Sequence, residues 1–291
     1  MIIFGVLAHD NPECFADLIE SIRMYFPGST IMLFDGGSDP ALAAKAVDLN
    51  VERCRYSKPL QHRKVIYFHF GLMRQLHEDG VEYDFLVTLD SDMLVVRSGL
   101  EQFLQELMRD SQYIATNFHM LGDPPYSEWQ IGRHFLFQWS RWSHAFDCLK
   151  PAGCFNPGQT FRKALVDQII ENVKTGEVMR LVERSPLPSL EEVILPTLAL
   201  SLGANPMRSP GSAAIQLKLY GADELASYLA DESVFMIHKV SMAYEGKDRR
   251  YLRSVRRGEA PEHFVQSEEA SAAKRFPRLR RMMKSMYYKY C

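Results

Sequence analysis

The sequence lacks any apolar run long enough to span a bilayer, and it lacks the features of a secretory leader. A membrane-spanning helix needs about 20 predominantly apolar residues, and the apolar runs here are far shorter. The opening segment MIIFGVL has no basic segment before it and no cleavage site after it, so it predicts a first strand rather than a signal peptide. We therefore expect a cytoplasmic protein without a transmembrane helix.

Cysteine is scarce, and neither sign of charge dominates. The five cysteines are scattered without zinc-binding spacing, which favours reduced thiols. The 34 Lys and Arg against 36 Asp and Glu give a net charge of −2, which predicts no nucleic-acid partner for the molecule as a whole. The length of 291 residues suffices for one large α/β domain or two smaller ones.

The N-terminal third alternates short apolar strands with amphipathic helices. Asn11-Pro12 and Asp39-Pro40 are helix starts, with the polar residue as N-cap and proline at the first helical position. This alternation predicts the α/β class, with a Rossmann-like, mostly parallel central sheet flanked by helices. Ligands of such sheets bind beyond the carboxyl ends of the strands. Polar residues that follow strands should therefore converge at one edge: His9, Asp10, Asp35, Asp90 and Asp92.

Two aspartates interrupt the most strand-like stretch, residues 85–96. Asp90 and Asp92 flank Ser91 between two β-branched, apolar runs. A carboxylate buried without a partner costs several kcal/mol, so both should lie where the strand leaves the sheet, facing a cation. Hard oxygen ligands suit Mg²⁺ or Mn²⁺. The alternative is an Asx-rich turn in which both carboxylates accept backbone N–H bonds.

Asp35 ends the second apolar strand just before two glycines. The glycines would let a ligand approach the backbone closely, and the Asp35 carboxylate would then accept the N3–H of a uracil. A purely structural role of Asp35 in the turn is an equal alternative.

These motifs resemble those of known enzymes. The segment FDGGSD at positions 34–39 resembles the Asp-Gly-Ser-x-Asp signature of family 2 glycosyltransferases, and DSD at 90–92 resembles the DxD motif of GT-A glycosyltransferases. The resemblance implies a GT-A fold with a nucleotide-diphosphate sugar at the switch point of the sheet and a metal ion on the DxD. It implies donor binding by His9, Asp35, Asp90, Ser91, Asp92 and Lys239.

Residues 118–157 contain all three tryptophans and read as irregular. Following a DxD strand, this stretch is expected to be a loop-rich acceptor region with aromatic platforms for sugar rings. For any single tryptophan, a place in the core is favoured over such a role.

A second resemblance covers SLEEVILPTL at positions 189–198. It is similar to the Ser-Pro-Asp-Glu-x-x-x-x-Thr-Leu segment of the core-2/xylosyltransferase branching family, which implies Glu192 as catalytic base, with Glu191 as substitute. That family generally works without a metal and lacks a full DxD, so this chain departs from it at Asp90 and Asp92. The structural alternative is a capping box, Ser189-x-x-Glu192, at the start of a helix.

A late strand at about 234–240 ends in His238 and Lys239. The GT-A resemblance implies that His238 completes the metal site with Asp90 and Asp92, and that Lys239 binds the diphosphate. The alternative is a surface histidine beside an exposed lysine.

The end of the chain is basic. Positions 247–291 hold 13 Lys and Arg against 5 Asp and Glu, which predicts a basic helical extension to a catalytic domain at 1–246. Apolar residues at helical spacing around 279–290 suit a peripheral contact with the inner face of a membrane or a lid over phosphate. Packing of the extension on the acidic domain is the favoured state in solution.

The sequence thus predicts a glycosyltransferase for hexosyl or N-acetylhexosaminyl transfer. The donor is a nucleotide-diphosphate sugar, UDP being favoured, and the acceptor is a hydroxyl of a glycan, a lipid-linked molecule or a small molecule. We expect inversion and dependence on Mn²⁺ or Mg²⁺. The alternatives are a retaining GT-A enzyme, a metal-dependent nucleotidyltransferase, whose N-terminal phosphate loop is not found, and a non-catalytic sugar-nucleotide-binding module.

Overall fold

The computed structural model describes residues 1–60, 64–125 and 128–259. The strands within these ranges are β1 (Ile2–Ala8), β2 (Thr30–Asp35), β3 (Glu52–Arg53), β4 (Phe85–Asp90), β5 (Met93–Val95), β6 (Tyr113–Met120), β7 (Ala152–Arg162), β8 (Met207–Arg208) and β9 (Met236–His238). The helices are α1 (Pro12–Tyr25), α2 (Pro40–Asp48), α3 (Ile66–Glu78), α4 (Leu100–Leu107), α5 (Gln130–Phe137), α6 (Trp139–Trp142), α7 (Lys163–Glu171), α8 (Val173–Arg184), α9 (Glu191–Ser201), α10 (Ala222–Ala230) and α11 (Lys247–Arg256).

Seven strands form the central sheet, in the order β3-β2-β1-β4-β7-β6-β8. The first four pair in parallel, as do β6 and β8, whereas β7 is antiparallel to both of its neighbours. Helices cover both faces of this sheet, and the predicted α/β class with a Rossmann-like, mostly parallel central sheet flanked by helices is confirmed.

Each face of the sheet has its own hydrophobic core because alternate side chains of a strand point to opposite faces. Along β4, Leu86 packs with Phe68 of α3 on one face. Its neighbour Val87 packs with Phe15 of α1 on the other. All of these side chains are buried, and each contributes about 1.5–3 kcal/mol by leaving water.

Local sequence signals set the first helices. Asn11 accepts the Cys14 N–H at 3.1 Å at the start of α1. Asp39 accepts the Ala41 N–H at 2.9 Å at the start of α2. Both N-caps are therefore confirmed, each with proline in the first helical turn.

The ladder registers carry the polar strand ends to one edge. Leu7 lies beside Asp90, and Ala8 lies beside Asp35, so β1, β2 and β4 end together. A second, two-stranded sheet joins β5 to β9 and pairs Met93 with His238. The late histidine is thereby placed next to the acidic loop.

The region 118–157 is more regular than its sequence predicts. It contains the end of β6, the start of β7, and the short helices α5 and α6 between them. The antiparallel pairing of β6 with β7 satisfies backbone groups that a loop would leave to water.

Of the predicted basic extension, the structure describes 247–259, and there α11 packs on α1 through Asp17. The amphipathic stretch at 279–290 lies outside the described residues. The division into a domain at 1–246 and an extension stays a prediction. No helix in the described ranges has the length and apolar character that a membrane span requires.

Candidate active site

The acidic loop forms the turn at which β4 leaves the central sheet. Asp90 is the last residue of β4, and Met93 is the first of β5. The Ser91 N–H donates to the Leu7 carbonyl at 3.0 Å, which fixes the turn to the end of β1. Both carboxylates therefore lie at the edge where the parallel strands end.

His238 joins the two aspartates. One ligand atom from each of Asp90, Asp92 and His238 lies within 4.8 Å of the others, and His238 Nε2 is 3.3 Å from Asp92 Oδ1. His238 Nδ1 faces the Gln216 carbonyl at 2.7 Å, so the neutral imidazole holds its proton on Nδ1 and leaves Nε2 as a ligand for a bound cation. Two carboxylates and an imidazole oriented in this way fit a divalent cation.

The electrostatics of the pair also suit a cation. Burial, followed by the negative charge of Asp92, raises the pKa of Asp90. Burial acts on Asp92 as well, but its hydrogen bond and charge interaction with His238 and the charge of Lys239 outweigh it and lower its pKa. Two close carboxylates in a partly buried site repel each other, and a positive charge between them relieves this repulsion.

Lys239 and Ser91 flank this set. Lys239 Nζ lies 3.7 Å from Asp92 Oδ2, and its side chain is about one third exposed, at 35%. It is therefore at the metal-ligand cluster and still open to solvent. Ser91 is mostly buried, and its carbonyl accepts a hydrogen bond from Arg249 at 3.1 Å.

Asp35 makes the contacts of a structured turn. Its Oδ1 accepts the Gly37 N–H at 3.1 Å, and its Oδ2 is 3.2 Å from Arg53 Nη2. The turn role is therefore present. Asp35 is buried and Arg53 half-exposed, so the ion pair is open to solvent on the arginine side only.

His9 lies exposed at the same edge, and its charge lowers the pKa of Asp90. The two glycines after Asp35 accommodate this histidine. A Cβ on Gly37 would lie 1.8 Å from the His9 carbonyl oxygen, and one on Gly36 would lie 2.7 Å from His9 Nδ1. The space that these two glycines leave open is therefore filled by His9, which follows β1.

Glu192 lies in the first turn of α9 and is buried, with only 7% of its surface exposed. Its Oε1 accepts the Asn156 backbone N–H at 3.2 Å. Burial raises the Glu192 pKa from 4.5 to about 8. The hydrogen bond from Asn156 lowers this pKa, and the negative charge of Asp90 raises it. The capping-box alternative is wrong, because the N-cap of α9 is Leu190, without a side-chain cap, and the Glu192 carboxylate bonds to β7 instead.

Glu191 points elsewhere. It is 3% exposed, and burial followed by the charge of Glu192 raises its pKa well above the ordinary value. The Ile66 amide at the start of α3 opposes this rise, so part of the Glu191 carboxylate faces a helix N-terminus. Its Oε2 has no hydrogen-bond partner among the described residues.

Asn156 of β7 connects the two halves of the site. Its Nδ2 is 3.5 Å from Asp90 Oδ2, while its backbone N–H binds Glu192. Its Oδ1 accepts from Gln159 Nε2 at 2.9 Å and from His69 Nε2 at 2.8 Å. These two hydrogen bonds fix the orientation of the Asn156 side-chain amide, so that its NH₂ group points towards Asp90.

The sequence did not single out Asn156, because one asparagine in an irregular-looking stretch carries no motif. His69, which supports it, is fully buried, and burial lowers its pKa to about 4. It therefore acts as a neutral hydrogen-bond donor at neutral pH.

A cavity of about 210 Å³ lies beside the cluster. It is lined by Asn117, His119, Trp129, Cys154, Phe155, Ile215, Gln216 and Leu217. Phe155 packs edge-on against His238 at 5.4 Å between ring centroids, which joins the cavity to the metal-ligand side. Of the three tryptophans, Trp129 lines this space, whereas Trp142 is buried in the core as favoured.

Comparisons with known proteins give a structural likeness only. No family model matches the chain, and no curated protein sequence matches it. Among solved structures, the galactosyltransferase LgtC in complex with donor and acceptor sugar analogs is 14% identical, with 94% of this chain and 99% of that one covered and a TM-score of 0.49.

Two further solved structures are similar. Glucosyl-3-phosphoglycerate synthase from Mycobacterium tuberculosis, in complex with Mn²⁺, UDP and glucosyl-3-phosphoglycerate, is 13% identical, covers 89% of this chain and 81% of its own, and has a TM-score of 0.40. Mouse xyloside xylosyltransferase 1 is 12% identical, covers 81% and 96%, and has a TM-score of 0.41. These three glycosyltransferases are similar to the chain in fold.

Proposed function

We propose that this protein is a divalent-metal-dependent glycosyltransferase that moves a sugar from a nucleotide diphosphate to an acceptor hydroxyl with inversion. One observation carries the proposal. The metal-ligand set Asp90, Asp92 and His238 is joined through a single residue, Asn156, to the buried carboxylate of Glu192. A cation site and a base of raised pKa side by side are what a displacement with a diphosphate leaving group requires.

The cation site would be held by Asp90, Asp92 and His238. The imidazole among these ligands favours Mn²⁺ over Mg²⁺, which prefers oxygen ligands throughout. A divalent ion bound there supplies positive charge to the leaving diphosphate. Lys239, whose ammonium lies 3.7 Å from Asp92, adds a second positive charge for the same phosphates.

Glu192 takes the proton of the acceptor hydroxyl. The hydroxyl oxygen forms a bond to the anomeric carbon, the bond from that carbon to the diphosphate oxygen breaks, and its electron pair leaves with the nucleotide. Asn156 holds Glu192 Oε1 through its backbone amide, so the acceptor proton would go to Oε2. Glu191 is the substitute base, but it faces the Ile66 amide.

The donor is a UDP sugar in this proposal. Asp35 receives the N3–H of uracil at the end of β2, and His9 and Ser91 contact the donor at the same edge of the sheet. The cavity lined by Trp129 and Phe155 receives the acceptor or the transferred hexose or N-acetylhexosamine, because sugar rings stack on aromatic faces. The acceptor is a glycan, a lipid-linked molecule or a small molecule. With a lipid-linked acceptor, the basic C-terminal segment would contact an anionic membrane surface.

A thermal-shift screen tests this function directly. A ligand at 100 times its dissociation constant stabilises the native state by about 2.7 kcal/mol, which raises Tm by about 5 °C or more for a chain of this size. We expect UDP with Mn²⁺ to raise Tm, and each alone to raise it less. UDP-sugar hydrolysis or transfer, measured as UDP release, should follow the same requirement.

Two outcomes would redirect the proposal. Stabilisation by nucleoside triphosphates but not by UDP would favour a metal-dependent nucleotidyltransferase. If UDP binds and transfer occurs, the anomeric configuration of the product, read by NMR, separates inversion from retention, and a retained anomer would remove Glu192 as the base.

A further inference from the structure

One buried guanidinium touches both chain segments that carry the metal-ligand residues. Arg249 of α11 is fully buried, with 0% exposure. Its Nη2 donates to the Ser91 carbonyl at 3.1 Å, and its Nε donates to the Ser241 carbonyl at 2.9 Å. Ser91 stands between Asp90 and Asp92, and Ser241 follows His238 and Lys239 closely in the chain. A single planar group therefore spans the acidic loop and the histidine segment.

The third side of the guanidinium is anchored by charge. Arg249 Nη1 donates to Asp17 Oδ2 at 2.8 Å, and both side chains have no exposed surface. A buried ion pair with such hydrogen bonds holds its geometry, because moving either partner leaves a charge uncompensated. Arg249 is thus fixed on α1 while it binds two backbone carbonyls elsewhere.

Neighbouring hydrogen bonds complete the connection. The Val240 N–H donates to the Asp92 carbonyl at 2.8 Å, so the histidine segment and the acidic loop also bind each other. The Ser241 N–H donates to Asp248 Oδ2 at 2.8 Å, so α11 holds Ser241 through both its carbonyl and its amide. The start of α11 is therefore built into the support of the cluster.

We propose that Arg249 is a positioning residue for the metal site, which holds the loop of Asp90 and Asp92 and the segment of His238 at the spacing that a divalent ion needs. The inference rests on the proposed metal-dependent function. It makes α11, which the sequence assigned to an extension, a structural component of that site. Lysine cannot replace Arg249 in this role, because one ammonium cannot span two carbonyls and a carboxylate in one plane.

The chain offers a matched control on the same helix. Arg256 is also buried, at 6% exposure, and its Nη2 donates to the other oxygen of Asp17 at 2.8 Å. Its remaining partners are the Asp17 carbonyl and Glu20, both on α1. Arg256 thus shares the anchor and the burial of Arg249 but has no hydrogen bond to either ligand segment.

The experiment compares Arg249→Lys with Arg256→Lys in the full-length chain. Mn²⁺ binding is measured from the electron paramagnetic resonance of the free ion, and Tm is measured without metal. We expect both variants to melt earlier than the wild type. Only Arg249→Lys should weaken Mn²⁺ binding, by roughly 10- to 100-fold, which is typical when support for metal ligands is removed.

The outcomes of this experiment distinguish the positioning role of Arg249 from the proposed function. Equal Mn²⁺ affinity in the two variants overturns the positioning role and leaves the proposed function intact. A wild-type protein that binds no Mn²⁺ overturns the metal-dependent function and this role with it. If Arg249→Lys does not fold, Asp17→Asn loosens the same anchor with little change of shape, and unchanged Mn²⁺ affinity in that variant overturns the inference.

Discussion

Replacing Glu192 by glutamine separates its chemistry from its packing. Glutamine has almost the same volume and keeps an oxygen that can accept the Asn156 N–H, now bound at 3.2 Å. Since Glu192 is only 7% exposed, a change of shape would be costly, and this substitution makes none. It removes the ionisable group alone.

The stability effect depends on pH, and its sign follows from the raised pKa. The Glu192 pKa is about 8 in the folded protein against an ordinary value of 4.5. Between these pH values the folded state binds more protons than the unfolded state, so the free energy of unfolding falls as pH rises. The free energy of unfolding falls by about 1.4 kcal/mol per pH unit in this range. The fall is complete above pH 8 and amounts to at most about 5 kcal/mol.

Glutamine does not ionise, so Glu192→Gln escapes this loss. We expect the variant to match the wild type in Tm near pH 4.5 and to exceed it at pH 8.5. Equal Tm values of the two proteins at both pH values would contradict the assignment of a buried, proton-binding carboxyl to this position.

The rate should change in the opposite sense. A base must be ionised, so kcat/KM of the wild type should rise with pH towards about 8, the pKa of Glu192 in the free protein. Removal of a general base costs about 10²- to 10⁴-fold in rate. We therefore expect Glu192→Gln to lose turnover by that factor while it still binds the donor nucleotide.

The assay is turnover at saturating donor and acceptor, with Glu191→Gln as the matched control. Glu191 faces the Ile66 amide rather than Asn156, so its variant should keep most of the rate. Near-normal turnover of Glu192→Gln would refute the reasoning and move the base to Glu191. Asp123, which follows β6, is half-exposed and paired with Lys150 at 2.5 Å, which makes it a poor base.

Three further predictions follow from the site and the tail. Chelation by EDTA should abolish transfer, and Asp92→Asn should do the same while the metal-free protein still folds; full activity of the metal-free enzyme would rule out the metal role. Asp35→Asn should raise the KM for a UDP sugar by roughly 10- to 100-fold, since a charge-assisted hydrogen bond contributes about 1.5–3 kcal/mol, and an unchanged KM would leave Asp35 a turn residue paired with Arg53. Deleting the last 20 or so residues should leave turnover in solution unchanged but weaken binding to anionic vesicles in a salt-dependent way; if truncation prevents folding, the tail belongs to the core.

Sequence reasoning worked where the signal is local. The N-caps Asn11 and Asp39 act within one helical turn, so α1 and α2 begin within a residue of the expected positions. The acidic pair was placed at a strand end because a buried strand cannot hold two unpaired charges. Asp90 and Asp92 lie there, and His238 lies with them.

The prediction from sequence was wrong where a local motif competes with tertiary contacts. Ser189 and Glu192 have the spacing of a capping box, but Ser189 adopts a φ of 50° and the helix begins after Leu190. Burial of the first turn of α9 against β7 directs the Glu192 carboxylate to the Asn156 amide. Such a contact joins residues far apart in the chain and leaves no trace in the spacing of either segment.

The direction of β7 explains why the rest of the site was hidden. In a parallel sheet, each strand brings only its carboxyl end to the ligand edge, and the polar residues there follow apolar runs in a recognisable way. Because β7 runs antiparallel and pairs Thr160 with Val87, the residues before Thr160 pass the end of β4, and Asn156 comes within 3.5 Å of Asp90. The alternation of side chains between the two faces of a strand is the same in either direction. The sequence of β7 therefore does not show whether it runs parallel or antiparallel. The reversal of this one strand, which only long-range pairing decides, brings Asn156 to the acidic pair and, through Asn156, the carboxylate of Glu192.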